Sequence, residues 1–206
     1  MGSDDRLRWN QRYERLEEAS DGPPAPPAWL AEIDDLVPGQ GAGLDLAAGR
    51  GRLALWMARR GLLVTAVDVS GVGLRLLREA AGREHLSVVT EELDLEVDLP
   101  PSGPFALATL FFYKQEGLLA RACKTLLPGG CLIAELPTVR NLERHDRPPR
   151  PYLVEANQLL DEARSLEMEV FYYREGWLPD GPEGDLRHTA RLAACRPTPR
   201  VTATIR

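Results

Sequence analysis

Three carboxylates and two glycines stand where short apolar runs end, and their spacing suits a nucleotide-like ligand. Gly49-Arg50-Gly51-Arg52-Leu53-Ala54 fits the G-x-G-x-x-A form of a nucleotide-binding turn. Gly49 and Gly51 let the backbone approach a ligand with no Cβ in the way. Asp68 follows nineteen residues after Gly49, where a carboxylate can accept from both hydroxyls of a ribose. Asp94 ends a further apolar run, where an acceptor can meet an adenine amino group. Asp45 stands four residues before Gly49. A carboxylate there repels a pyrophosphate and suits a cationic cofactor, although Arg50 and Arg52 can offset its charge.

Other residues border this turn. Phe111, Phe112 and Tyr113 end another apolar run, and strand alternation sends one phenylalanine to the core and the other to the site. Trp9 and Tyr13, at helical spacing, can roof the turn or form a packing stripe. The segment PTVRNLERHDRPPRP, residues 137–151, sets Arg140, Arg144, Arg147, Arg150 and His145 against Glu143 and Asp146. Arg140 and Arg144 are candidates for holding a small anionic substrate, and His145 and Tyr113 for proton transfer. Each has a plainer reading: Asp45 and Asp68 cap helices, Asp94 is a solvated turn, and the arginines line a solvated loop.

These residues need a frame. Residues 4–19 read as a helix, the Pro- and Gly-rich stretch 22–27 as a stiff connector, and 28–37 as a short amphipathic segment. Strands are expected at 42–48, 63–70, 85–94, 104–112 and 131–137, with helices at 51–61, 72–82 and 115–130 between them. A helix at 152–163 precedes two strands that reverse around PDGPEGD. The fold class is α/β: a doubly wound, mostly parallel seven-stranded sheet with an antiparallel C-terminal hairpin. Residues 1–206 read as one domain, with 1–38 a helical cap and 197–206 a tail.

A chain of 206 residues, 44% apolar, can bury one full core. A net charge of -6 disfavours a nucleic acid partner, and no apolar run is long enough to span a bilayer. No signal peptide is apparent. Cys123, Cys131 and Cys195 lack C-x-x-C spacing and read as plain core thiols. That argues against a zinc site or a disulfide framework and points to a reducing, cytoplasmic setting with no metal. A monomer or homodimer is expected.

The run LDLAAGRGRLALWMARRG resembles the first motif of class I S-adenosylmethionine-dependent methyltransferases. VTAVDVS resembles their second motif, ELDLE the adenine segment, and LLARACKTLLPGGCLIAEL the late helix, turn and strand. The N-terminal WNQRY resembles small bacterial members near the tellurite-resistance methyltransferases, whose first helix lies over the cofactor. The resemblance covers residues 40–137 and implies a Rossmann-like methyltransferase that binds S-adenosylmethionine. It implies a cofactor site of Trp9, Tyr13, Asp45, Ala47, Gly49, Gly51, Asp68, Val69, Asp94, Leu95 and Phe111. Ala47 stands where glycine is frequent, which suits a negative φ. The acceptor is then a small molecule: a small anion, thiol or chalcogen oxyanion. Two alternatives stay open: a nicotinamide-dependent oxidoreductase, which lacks a Tyr-x-x-x-Lys pair here, and a cofactor-binding protein without turnover.

Overall fold

The computed structural model describes residues 2–18, 25–180 and 185–199. Parts of the expected connector at 22–27, of the PDGPEGD reversal and of the tail at 197–206 lie outside the described residues.

Seven strands form one sheet in the order β3-β2-β1-β4-β5-β7-β6. The strands are β1 (Gly41–Leu46), β2 (Leu62–Asp68), β3 (Val88–Glu92), β4 (Phe105–Phe111), β5 (Leu126–Pro137), β6 (Glu169–Asp180) and β7 (Asp185–Cys195). The first five pair parallel, and β7 lies antiparallel between β5 and β6. Every residue of β4 is buried, as a central strand covered on both faces requires.

The helices are α1 (Gly2–Glu18), α2 (Arg52–Arg59), α3 (Gly71–Arg83), α4 (Leu118–Lys124) and α5 (Gln158–Ser165). Helices α2 and α3, with the turns at 28–36, cover one face through Leu53, Met57, Leu74, Leu77 and Ile33. Helices α4 and α5 cover the other through Leu118, Leu119, Leu159 and Ala163. The crossover after β1 therefore goes to one face and that after β4 to the other. This opens a crevice between their carboxyl ends, where ligands bind in such sheets. No described helix is long and apolar enough to cross a membrane.

A buried polar knot ties the 28–36 segment to the sheet. Trp29 Nε1 donates to Glu135 Oε2 at 2.7 Å, and Arg191 Nε donates to Glu135 Oε1 at 2.9 Å. Thr189 Oγ1 donates to the same oxygen at 3.2 Å. Trp29 stacks on both Phe111 and Tyr172.

Two expectations need correction. The helix expected at 115–130 stops at Lys124, because the Thr125 carbonyl accepts from Phe105 N–H and the chain joins the sheet at Leu126. Cys131 and Cys195 are not separate thiols: they face each other across β5 and β7 and form a disulfide. The inference of a reducing compartment rested on unpaired cysteines and loses that premise. Cys123 remains a buried thiol, its pKa pushed up to about 12 by burial.

Candidate cofactor and acceptor site

The glycine turn joins β1 to α2. Gly51 is the N-cap of α2 with φ 84°, a conformation that glycine adopts without a Cβ clash. A Cβ at Gly51 would also stand 2.2 Å from Leu77 Cδ1. Ala47 has φ 55°, not the negative value expected, so this alanine sits in the left-handed region.

Three N–H groups in and just after the turn are spent within the protein. Gly49 N–H donates to Asp68 Oδ2 at 2.7 Å, and Gly51 N–H to the Ala48 carbonyl at 2.8 Å. Ala54 N–H, in the first turn of α2, donates to Asp45 Oδ2 at 2.9 Å. A dinucleotide turn aims such donors at a pyrophosphate. Here Gly49 and Ala54 N–H hold two buried carboxylates instead.

Asp45 is buried at 3% exposure. Its Oδ1 accepts from Thr109 Oγ1 at 2.7 Å, the one polar side chain within β4. Burial pushes its carboxyl up from the ordinary 3.8 to about 7, against the pull of the Thr109 and Ala54 hydrogen bonds. The helix-capping role weighed for Asp45 is thus present, through Ala54.

Asp68 ends β2 and is also buried. Its Oδ1 accepts from Ser70 N–H at 2.8 Å. A carboxylate offers about four lone-pair sites, so the contacts to Gly49 and Ser70 leave acceptor capacity. Burial raises its pKa, and the backbone hydrogen bonds from Ser70, Gly49 and Val69 oppose that rise.

Helix α1 lies across these strand tips. Asn10 Oδ1 accepts from Ser70 Oγ at 2.6 Å, and Glu17 pairs with Arg75 at 2.6 Å. Trp9 stacks on Tyr13 with ring centroids 5.6 Å apart. Tyr13 rests on the glycine floor: a Cβ at Gly49 would meet Tyr13 Oη at 2.5 Å, and one at Gly73 the Tyr13 ring at 3.0 Å. Asn10 and Ser70 were missed in the sequence, although Asn10 adjoins Trp9 and Ser70 is the N-cap of α3, accepting from Gly73 N–H.

Strand β3 ends at Glu92, so Asp94 and Leu95 lie just beyond it. Asp94 Oδ1 accepts from Glu96 N–H at 3.0 Å, and Leu95 is buried. Asp94 thus organises the turn after β3 and does not stand at the strand end expected for it, because pairing with β2 stops at Glu92. Phe111 packs into the α2–α3 face against Trp29, whereas Phe112 is exposed at the strand tip with φ 55°. The Arg52 guanidinium lies 5.8 Å from the Phe111 ring and 5.2 Å from that of Phe112.

Past β4 and β5 lies a cavity of about 270 Å³. Leu110, Leu136, Val154 and Leu159 supply apolar lining, while Tyr113, Lys114, Gln115, Glu116, Gln158 and Glu162 supply polar groups. Burial raises the Tyr113 phenol far above its ordinary value, and Glu96 and Asp94 push the same way. It is therefore a neutral hydroxyl at physiological pH.

The arginine loop is elsewhere. Arg140 pairs with Glu143 at 2.8 Å, and the Arg144 guanidinium stacks 4.1 Å from the Trp177 ring. His145 Nε2 is 2.9 Å from the Leu186 carbonyl. Loop and β6–β7 hairpin thus hold each other, and none of Arg140, Arg144 and His145 lines the cavity. Among the described residues no cluster of His, Cys, Asp and Glu could hold a metal ion.

Residues 44–130 match the family model described as a methyltransferase domain. The chain is 30% identical, over 132 residues, to the S-adenosyl-L-methionine-dependent Diels-Alderase iccD of Talaromyces variabilis. That stretch is 59% of this chain and 44% of the relative, so this chain spans less than half the length of the curated protein it matches. TehB from Haemophilus influenzae superposes with a TM-score of 0.66 at 17% identity, over 81% of this chain and 60% of that one. The magnesium protoporphyrin IX methyltransferase ChlM from Synechocystis PCC 6803, solved with bound SAH, gives 0.67 at 14% identity, over 95% and 99%. Sheet topology and the solved structures agree on the fold of S-adenosylmethionine-dependent methyltransferases, and residues 44–130 carry the match to the methyltransferase domain.

Proposed function

We propose that the chain binds S-adenosylmethionine at the tips of β1 and β2 and serves its transfer of a methyl group to a small-molecule acceptor. One observation carries this reading: Gly49 N–H and Ala54 N–H, which a dinucleotide turn would aim at a pyrophosphate, are spent on the buried carboxylates of Asp68 and Asp45, a setting that suits a cationic cofactor. The strand order supports it too, since β7 enters between β5 and β6, unlike the 3-2-1-4-5-6 order of dinucleotide folds.

The residues fit the cofactor. Asp45 supplies negative charge near its amino acid end, and Asp68, with Val69 beside it, offers acceptors for the ribose. Asp94 and Leu95 border the adenine. Ala47, Gly49 and Gly51 form the floor, and Trp9 and Tyr13 the roof. Because Tyr13 rests on Gly49, α1 has to shift for the nucleoside to enter. When bound, the cofactor supplies a methyl group already activated on sulfonium sulfur. The chain's own task is then to align the acceptor and exclude water. Tyr113, protonated beside the cavity, orients an acceptor by hydrogen bonding, and Phe112 walls the approach, whereas Phe111, expected at the cofactor, is packed in the core against Trp29. The small anionic acceptor expected from Arg140 and Arg144 draws no support from the cavity lining, which contains neither.

A second reading has its own support: the 30% identical relative is an S-adenosyl-L-methionine-dependent Diels-Alderase. On that reading the cofactor is held without turnover while a second substrate cyclises. Incubation with methyl-labelled S-adenosylmethionine and an acceptor library separates the two. Appearance of S-adenosylhomocysteine supports methyl transfer; tight cofactor binding without product across the library favours the second reading.

A further inference from the structure

We propose that the cavity past β4 and β5 is an ammonium-binding pocket, taking a small molecule that carries a protonated amine on an apolar body. This rests on the reading that cofactor and second substrate share this end of the sheet.

The first support is the state of the polar lining. Its donors on Lys114 and Gln158 are engaged within the protein, while the Tyr113 hydroxyl can either donate or accept. Lys114 Nζ donates to the carbonyls of Leu153 at 2.7 Å and Pro151 at 3.2 Å. Gln158 Nε2 donates to Glu162 Oε1 at 2.8 Å, while its own Oε1 accepts from Glu155 N–H. The acceptors are in surplus. Gln115 Oε1 is buried with no hydrogen-bond partner among the described residues. A buried acceptor left unpaired is costly, and a donor from a ligand removes that cost.

The second support is charge. Glu116 and Glu162 set two carboxylates against the single ammonium of Lys114, and Lys114 is pinned to carbonyls. An anion entering here meets two carboxylates against one ammonium, Glu162 part-buried and Glu116 exposed at the rim. A cation meets attraction. The third support is shape: the leucine and valine lining takes an apolar body, and about 270 Å³ sits just below the roughly 300–1,000 Å³ of drug-sized pockets. The arginines that would favour an anion are held by Glu143 and Trp177 instead.

The test is calorimetry with three probes of one shape: phenethylamine, phenylacetate and phenethyl alcohol. Each is titrated into protein saturated with S-adenosylhomocysteine, whose own binding is measured first. Phenethylamine is expected to bind at least tenfold more tightly than phenylacetate, with the alcohol between. Gln115→Leu and Glu162→Gln should each weaken the amine about tenfold or more and leave S-adenosylhomocysteine affinity within twofold. Phenylacetate binding as tightly as the amine, no binding of any probe, or amine affinity untouched by both variants would overturn the proposal. The cofactor titration stands apart. Amine binding without S-adenosylhomocysteine binding refutes the cofactor reading alone, and cofactor binding without amine preference refutes the ammonium pocket alone.

Discussion

Asp45→Asn should stabilise the fold and weaken the cofactor site at once. Burial pushes the Asp45 carboxyl up from 3.8 to about 7. A raised carboxyl pKa means that the folded state holds the proton more tightly than the unfolded state. The stability it confers is complete below about pH 4 and is lost as pH rises through about 7. At ~1.36 kcal/mol per pH unit, that rise in pKa amounts to about 4 kcal/mol at pH 8 and roughly 1–2 kcal/mol at pH 5. Asparagine escapes this loss and can keep both contacts. Its carbonyl accepts from Ala54 N–H and its amide donates to Thr109 Oγ1, whose proton turns to the Leu44 carbonyl at 3.4 Å. Urea unfolding of both proteins should therefore show the variant's advantage widening by roughly 2–3 kcal/mol between pH 5 and pH 8. Cofactor affinity moves the other way. A unit pair at about 6 Å with an effective dielectric near 20 is worth about 3 kcal/mol, so S-adenosylmethionine should bind at least tenfold more weakly at pH 8. A stability gap that stays constant with pH would show that Asp45 does not titrate as its burial requires. Unchanged affinity would remove it from the cofactor's field.

Ala47→Gly should raise stability: a left-handed alanine costs about 1–2 kcal/mol, and glycine returns about 0.5–1 kcal/mol of that as chain entropy. The net gain appears as a rise of a few degrees in Tm; a lower Tm contradicts the positive φ. Glu135→Ala strands Arg191 and the Trp29 N–H in the interior, so urea unfolding should lose about 3–5 kcal/mol. A loss under about 1 kcal/mol would mean that the knot does not hold the 28–36 segment. Tyr13→Ala uncovers Gly49, so S-adenosylhomocysteine should associate several-fold faster in stopped-flow fluorescence. An unchanged rate would show that α1 does not limit entry.

The strand tips and the glycine turn were legible because both rest on local patterns. Apolar runs closed by Gly or Asp mark buried parallel strands, and Asp45, Asp68 and the turn fall where those runs end. Asp94 was read as a strand end, whereas pairing with β2 stops at Glu92 and Asp94 opens a turn. The start of β5 was hidden because Leu126 and Leu127 continue the helical stripe of α4. Only the partner strand, through Phe105 and Thr125, ends that helix. The Cys131–Cys195 bond joins residues 64 apart in sequence, a proximity set by β5–β7 register. The arginine loop misled for a similar reason: its charge was visible, but the hairpin residues Trp177 and Leu186 that hold it are remote in the chain. Gln115 and Glu162 carry no motif, and only the assembly of β4, β5 and α5 around one cavity gives them a role.

The most direct measurement is a calorimetric titration of the purified chain with S-adenosylmethionine beside a parallel titration with NAD. The account predicts saturable one-to-one heat with S-adenosylmethionine, lost in Asp68→Asn, and none with NAD. Silence with S-adenosylmethionine, or comparable heat with NAD, would contradict the reading of the acidic strand tips.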